Sequence, residues 1–153
     1  MTIFERFQMI SYPSLRKHLL QLPKSLLLLT ALYFLTSLGH FAHNAQFICE
    51  YPNLPAWLTP WKVMAVWVAI TLVGVAGFGL MAQRWMACGL LLVAVYAALG
   101  FDGLGHYAVA PMAFHTLGAN VTILSEVVAA ALLLPFALYL VVRRIFQPPS
   151  APL

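Results

Sequence analysis

Long apolar stretches separated by short polar segments dominate the chain. Four of these stretches reach the roughly 20 residues that an α-helix needs to cross a bilayer, and they cover residues 25–47, 61–83, 85–107 and 117–145. The sequence shows no alternation of apolar and polar residues with a period of two, which excludes a porin-type barrel. The pattern therefore predicts an all-α integral membrane protein built as a bundle of four transmembrane helices.

The same pattern divides the chain into three parts. Residues 1–24 mix apolar and basic side chains, and we interpret them as an arm that begins with a short amphipathic segment at the membrane interface. Residues 25–146 form the four-helix transmembrane domain. Residues 147–153 contain three prolines and are expected to form a flexible cytoplasmic tail.

Basic residues are distributed unevenly around the four spans, and this distribution predicts the orientation of the protein. Only Lys62 falls on one side of the membrane. The other seven basic residues fall on the opposite side: Arg6, Arg16, Lys17, Lys24, Arg84, Arg143 and Arg144. We therefore expect both termini to be cytoplasmic, and the two longer connections between spans to face outward.

Composition agrees with this class of protein. The chain is 63% hydrophobic and 8% charged, whereas soluble domains are roughly 25% charged. The net charge of +4 reflects basic residues at the inner face, where they meet anionic lipid. No aromatic–basic motif that reads bases is present, so no nucleic-acid partner is expected. We expect a bacterial cytoplasmic membrane protein.

Ionisable residues are concentrated in the half of the bundle that is predicted to face outward. Apart from Glu5 and His18 in the N-terminal arm, every acidic residue and every histidine belongs to that half. Ionisable side chains within a membrane are costly and mark functional positions by default. With a rise of about 1.5 Å per residue, His40, Asp102 and Glu126 lie about 8–10 Å below the outer ends of their helices. Three helices thus bring polar groups to one level, on the periplasmic side.

Spacing within the helices indicates which of these residues share a face. Separations of three and four residues predict a polar face on the first span, formed by Thr36, His40, His43 and Asn44. On the third span, Asp102 and His106 are four residues apart and are also expected on one face. His115 stands in the connection that leads into the fourth span.

A metal site is the first function that this pattern predicts. Imidazole and carboxylate ligands without thiolates suit copper, iron or zinc, among which the sequence does not distinguish. The candidate ligands are His40, His43, Asp102, His106, His115 and Glu126. With an open coordination position, the site would act on a lipid-soluble or outer-face small molecule. The protein would then be a membrane oxidoreductase or another metalloenzyme.

Other functions use the same polar residues without that metal. The protein could be a non-catalytic accessory subunit, whose buried network packs its helices against other membrane subunits or a second copy. It could instead provide a path for protons or ions. A single haem, ligated by histidines on different helices such as His40 and His106, is a further alternative.

Overall fold

The structure is a computed structural model, and it describes residues 22–146. Every regular element in this part of the chain is helical. The long helices are α1 (Lys24–Gln46), α2 (Pro60–Ala82), α3 (Met86–Leu99) and α5 (Leu117–Phe146), and the short helix α4 (Gly105–Val109) continues the line of α3. Three 3₁₀ turns complete the fold: Ile48–Glu50, Gly100–Leu104 and Met112–Phe114.

The four predicted spans are confirmed. The third comprises α3, a 3₁₀ turn and α4 and runs over Met86–Val109, and each of the four is long and apolar enough to cross a membrane. Helices suit this environment because their backbone N–H and C=O groups bond to one another within the segment. The even number of spans places the start of α1 and the end of α5 on the same side of the bundle.

The third span departs from the continuous α-helix that the sequence predicts. At Gly100 the α-helix changes into a 3₁₀ turn, and α4 begins at Gly105. A 3₁₀ helix advances by about 120° per residue, compared with about 100° in an α-helix, so the faces of the span shift. As a result Asp102 is exposed whereas His106 is half-buried. Both residues still line one cavity, described below, with Asp102 at its exposed edge.

Helices α2 and α3 form a tightly packed hairpin, in which glycines let the backbones touch. A Cβ built on Gly89 would lie 2.5 Å from the carbonyl oxygen of Gly77. Small residues at a helix crossing are a common means of packing within membranes. The chain reverses at Arg84, which has a left-handed φ of 73°, and the N–H of Trp85 donates to the carbonyl of Leu80 at 3.0 Å.

The half of the bundle that contains the start of α1 and the turn at Arg84 has an apolar core. Helix α5 packs against both α1 and α3, and each of the three contributes a fully buried side chain there, namely Leu133, Leu26 and Val93. The buried polar and charged side chains of the described residues lie nearer the other end of the bundle, where the two longer connections are found. The core therefore divides into an apolar half and a polar half, which we name the inner half and the outer half after the orientation predicted from the sequence.

Both longer connections are fastened to that polar end. In the loop of residues 47–59, the side chain of Asn53 donates to the carbonyl of Val109 at 2.8 Å, and Tyr51 is only 3% exposed. In the connection between α4 and α5, the carbonyl of Met112 accepts a hydrogen bond from the side chain of Asn120 at 3.2 Å. The loops consequently cover the ionisable residues rather than lying apart from them.

The predicted terminal segments fall largely outside the structure. Only residues 22–24 of the predicted N-terminal arm belong to the described part of the chain, and α1 begins at Lys24. Helix α5 ends at Phe146, and the predicted tail of residues 147–153 lies outside the described residues.

Candidate functional site

A histidine and a glutamate from different helices form a buried hydrogen bond in the outer half of the bundle. His40 on α1 and Glu126 on α5 are 3% and 1% exposed, and the Nδ1–H of His40 donates to Oε2 of Glu126. Gly103 passes directly over the pair, since a Cβ built there would be 3.4 Å from Cε1 of His40. A buried carboxylate needs a partner, and His40 is the partner of Glu126.

A second histidine lies against this pair. The ring centroids of His40 and His106 are 5.3 Å apart, with the rings inclined at 74°. Asn44, one turn beyond His40 on α1, donates from Nδ2 to Nε2 of His106 at 3.3 Å. Helix α1 therefore contributes one imidazole and the group that orients another.

Tyr51 lies in the loop of residues 47–59, here called the outer loop, and packs against the histidines. Its hydroxyl donates to Nδ1 of His43 at 2.9 Å, and its ring centroid is 4.9 Å from that of His106. Burial raises the pKa of the Tyr51 hydroxyl above its ordinary value, because the phenolate would lose its hydration. Tyr51 is thus kept as a neutral hydrogen-bond donor.

His115 belongs to the same group of rings, although it lies in a connection rather than on a span. Its Nδ1–H donates to the carbonyl of Pro111 at 3.2 Å. Its ring centroid lies 6.1 Å from that of His106 and 5.4 Å from that of Tyr107, and the Tyr107 hydroxyl donates to Oδ1 of Asn120 at 2.9 Å. The buried Nε2 of His115 has no hydrogen-bond partner among residues 22–146.

A cavity of about 210 Å³ opens beside the His40–Glu126 pair. One side of it is polar and is lined by His40, Asn44, Asp102, His106 and Glu126. The remaining walls are mainly apolar side chains from α1, the outer loop, the start of α2 and the third span: Phe41, Leu54, Leu58, Val63, Val66 and Leu99. Because Asp102, Val66 and Leu99 are themselves exposed, the cavity opens to the surroundings between α2 and the third span.

The six predicted metal ligands lie at one end of the bundle, but they do not form a single coordination sphere. His40 bonds to Glu126, and His106 lies against His40; His115 adjoins His106, while His43 is reached through Tyr51. Asp102 stands at the exposed edge of the cavity. Within the described part of the chain, no three His, Cys, Asp or Glu side chains are grouped so that they could hold one metal ion.

Sequence reasoning missed some buried polar residues next to this site. The buried face of α1 carries Ser37 rather than Thr36, whose hydroxyl bonds instead to the carbonyl of Leu32 at 3.0 Å. Tyr33 lies on the same buried face. The spacing of Tyr33, Ser37, His40 and Asn44 follows the four–three–four repeat of one helix face, so the signal was present in the sequence.

The chain was also compared with known proteins. No model of a protein family, no curated protein and no solved structure matches it.

Proposed function

We propose that this membrane protein binds a small amphipathic molecule in its outer-half cavity and exchanges protons with it through the His40–Glu126 pair. The carrying observation is that this pair lines a cavity whose other walls are largely apolar. The site would donate protons to the bound molecule or accept protons from it. The protein would be an enzyme if this proton transfer converts the bound molecule into a product.

The chemistry of the pair supports proton exchange. Histidine is the side chain that most often transfers protons in enzymes, and a carboxylate bonded to its ring holds the imidazole in one orientation. A carboxylate held within a membrane is expensive and is usually retained for function. His40 and Glu126 are hydrogen-bonded to each other, and the carboxylate of Glu126 is buried within the bundle. The pair therefore has both features.

The shape of the cavity supports a small molecule with an apolar body and a single polar group. Its 210 Å³ is below the roughly 300 Å³ at which drug-sized pockets begin. The imidazoles of His40 and His106 can meet a hydroxyl or carbonyl group, while Leu54 and Val63 face the apolar part. The opening near Val66 gives such a molecule a route from the outer leaflet.

Infrared spectroscopy of the purified protein tests this proposal. We expect acidification to change the carboxylic C=O absorption of Glu126, and we expect Glu126→Gln to abolish that change. The matched control is Glu50→Gln, which alters an exposed loop carboxylate and should leave the signal intact. Pentanol should shift the Glu126 absorption because its hydroxyl can reach the pair, whereas pentane should not. A Glu126 signal that responds to neither pH nor pentanol would refute the proposal.

A metal site is the second candidate function, and the way two histidines are held favours it. Metal-ligating histidines usually donate their second ring N–H to a carboxylate or a carbonyl. Nδ1 of His40 engages Glu126 and Nδ1 of His115 engages Pro111, so both leave a buried Nε2 without a partner among the described residues.

His40, His106 and the carboxylate of Asp102 all line the cavity and are the donor types of a two-histidine, one-carboxylate site. They are not grouped around one point in the described arrangement, so metal binding would require these side chains to move together. Such a site would supply Lewis-acid or redox chemistry at the cavity. The same preparation separates the candidates. About one equivalent of copper, iron or zinc that is lost in His40→Ala would support the metal site, and a Soret band would support haem. A colourless protein without metal that retains the pH response would support proton exchange alone.

We further propose that both termini are cytoplasmic and that the cavity faces the periplasm of a bacterial cell. The bias of basic residues supports this orientation. Cys49 and Cys88 are both exposed, and they lie near opposite ends of the spans that flank them. A membrane-impermeant thiol reagent added outside intact cells should label Cys49 and leave Cys88 unlabelled until the membrane is permeabilised. The reverse labelling would invert the orientation.

A further inference from the structure

The buried face of α1 carries a continuous row of polar side chains that have no hydrogen-bond partner for at least one atom. These atoms are Oη of Tyr33, Oγ of Ser37, Nε2 of His40 and Oδ1 of Asn44, and each lacks a partner within residues 22–146. The four residues are at most 7% exposed. Buried polar atoms in proteins are nearly always bonded to protein or water, so an entire row of exceptions requires an explanation.

Local backbone bonding does not explain the row. Serine and threonine hydroxyls within helices commonly bond to a carbonyl three or four residues earlier. Thr36, Thr122 and Ser125 follow this rule, with distances of 2.9–3.1 Å. Ser37 does not, although it is next to Thr36 on the same helix. Its hydroxyl lies beside that of Tyr33, but the two do not meet hydrogen-bond geometry, so the Ser37 hydroxyl is available inside the bundle.

The row continues from α1 onto two other helices. The ring centroids of Tyr33 and Tyr96 are 4.6 Å apart, and Thr71 on α2 lies beside the Tyr96 hydroxyl. The side-chain oxygens of Tyr96 and Thr71 are also buried and have no partner by geometric criteria in the described part of the chain. Gly100 leaves the space that Tyr33 needs, since a Cβ there would be 2.8 Å from the Tyr33 hydroxyl.

The row begins at the outer cavity and ends in the middle of the membrane. Asn44 and His40 line the cavity, whereas Tyr33 lies roughly 14 Å from the inner end of α1 at about 1.5 Å per residue. Farther inward the seam is closed by fully buried apolar side chains, including Leu26, Val93 and Leu133. The polar row is thus open at the cavity and closed toward the start of α1, while at Tyr96 and Thr71 it borders an apolar groove of about 470 Å³ on the surface formed by α1, α2 and α3.

We infer that this row binds a file of internal water, which carries protons from the outer cavity to Tyr33 and Tyr96 and no farther. Internal water is the usual partner of buried polar groups that lack one. In each transfer one O–H bond breaks as the next forms, so no electron is gained or lost. The water file depends only on the unpaired atoms, and it stands whether or not the cavity binds a small molecule.

Radiolytic footprinting in lipid nanodiscs tests the water file, because radicals generated from bound water oxidise the side chains beside it. We expect Tyr33 and Tyr96 to be oxidised several-fold faster than Tyr139, although Tyr139 is 55% exposed on the outer surface of α5 and the other two are buried. Ser37→Val should lower oxidation of Tyr33 and Tyr96 several-fold. The matched control is Thr36→Val, which removes a neighbouring hydroxyl that is already bonded to the backbone.

Oxidation of Tyr33 and Tyr96 no faster than that of Tyr139 in the unaltered protein would overturn the inference, because the seam would then be dry. This comparison does not require Ser37→Val to fold. Equal effects of Ser37→Val and Thr36→Val would also overturn it. Vesicles that contain the protein should hold a pH gradient as long as empty vesicles do, and rapid loss of the gradient would contradict the closed inner end. The infrared test of Glu126 reads a different group, so the two proposals can fail separately.

Discussion

Glu126→Ala is expected to lower the free energy of unfolding by about 3–5 kcal/mol, the usual effect of removing one member of a buried, directly bonded pair that includes a carboxylate. The carboxylate is 1% exposed and bonds to His40. Its removal leaves the imidazole without a partner and opens a void between α1 and α5. Denaturant unfolding in detergent micelles, together with the yield of monodisperse protein, measures the loss.

Two controls separate the lost pair from other causes. Glu126→Gln retains an oxygen that accepts from Nδ1 of His40 and should therefore cost less than Glu126→Ala. The double variant His40→Ala with Glu126→Ala should be little worse than either single variant, because coupled partners give non-additive losses. Additive losses would show that the two residues stabilise the bundle independently, and a loss below about 0.5 kcal/mol for Glu126→Ala would contradict the prediction.

Gly89→Ala is expected to destabilise the protein by about 1–3 kcal/mol through overpacking at the α2–α3 crossing. The added methyl group would lie 2.5 Å from the carbonyl oxygen of Gly77 and 2.9 Å from the backbone nitrogen of Met81. Backbone atoms cannot rotate away as side chains do, so the two helices must separate along the hairpin. The thermal midpoint in micelles should fall accordingly.

Gly79→Ala is the matched control, since it adds the same methyl group to the same hairpin. A Cβ at Gly79 would meet nothing within 4 Å among the described residues. We expect this variant to be neutral or more stable by about 0.5–1 kcal/mol, because alanine loses less backbone freedom than glycine in a helix. Equal losses for Gly89→Ala and Gly79→Ala would mean that the hairpin does not have the close crossing described above.

The contacts of the loop of residues 47–59 restrict how molecules can reach the site. Tyr51 covers the histidines, and Asn53 fastens the same loop to Val109. Water and small molecules must therefore reach the His40–Glu126 pair through the cavity rather than directly from above. The site and the water file then share one entrance.

The amino-acid sequence by itself determined the four spans and the separation of polar from apolar halves. In a bilayer each backbone polar group must bond within its own segment, so an apolar run of sufficient length becomes a helix whatever surrounds it. The placement of His40, His106 and Glu126 near one end followed from helix rise alone. This explains why the architecture and the depth of the polar residues were predictable.

Only the tertiary structure decided which polar groups meet. On α1 the helical period is compatible with two faces, one that contains Ser37 and one that contains Thr36, and packing against α5 decided that Ser37 is the buried residue. The change to a 3₁₀ turn at Gly100 moved Asp102 to the edge of the cavity. The loop contact between Tyr51 and His43 joins parts of the chain whose relative position no helical period specifies. Rotation, local winding and loop closure are set by long-range contacts, and these decided which of the polar residues meet.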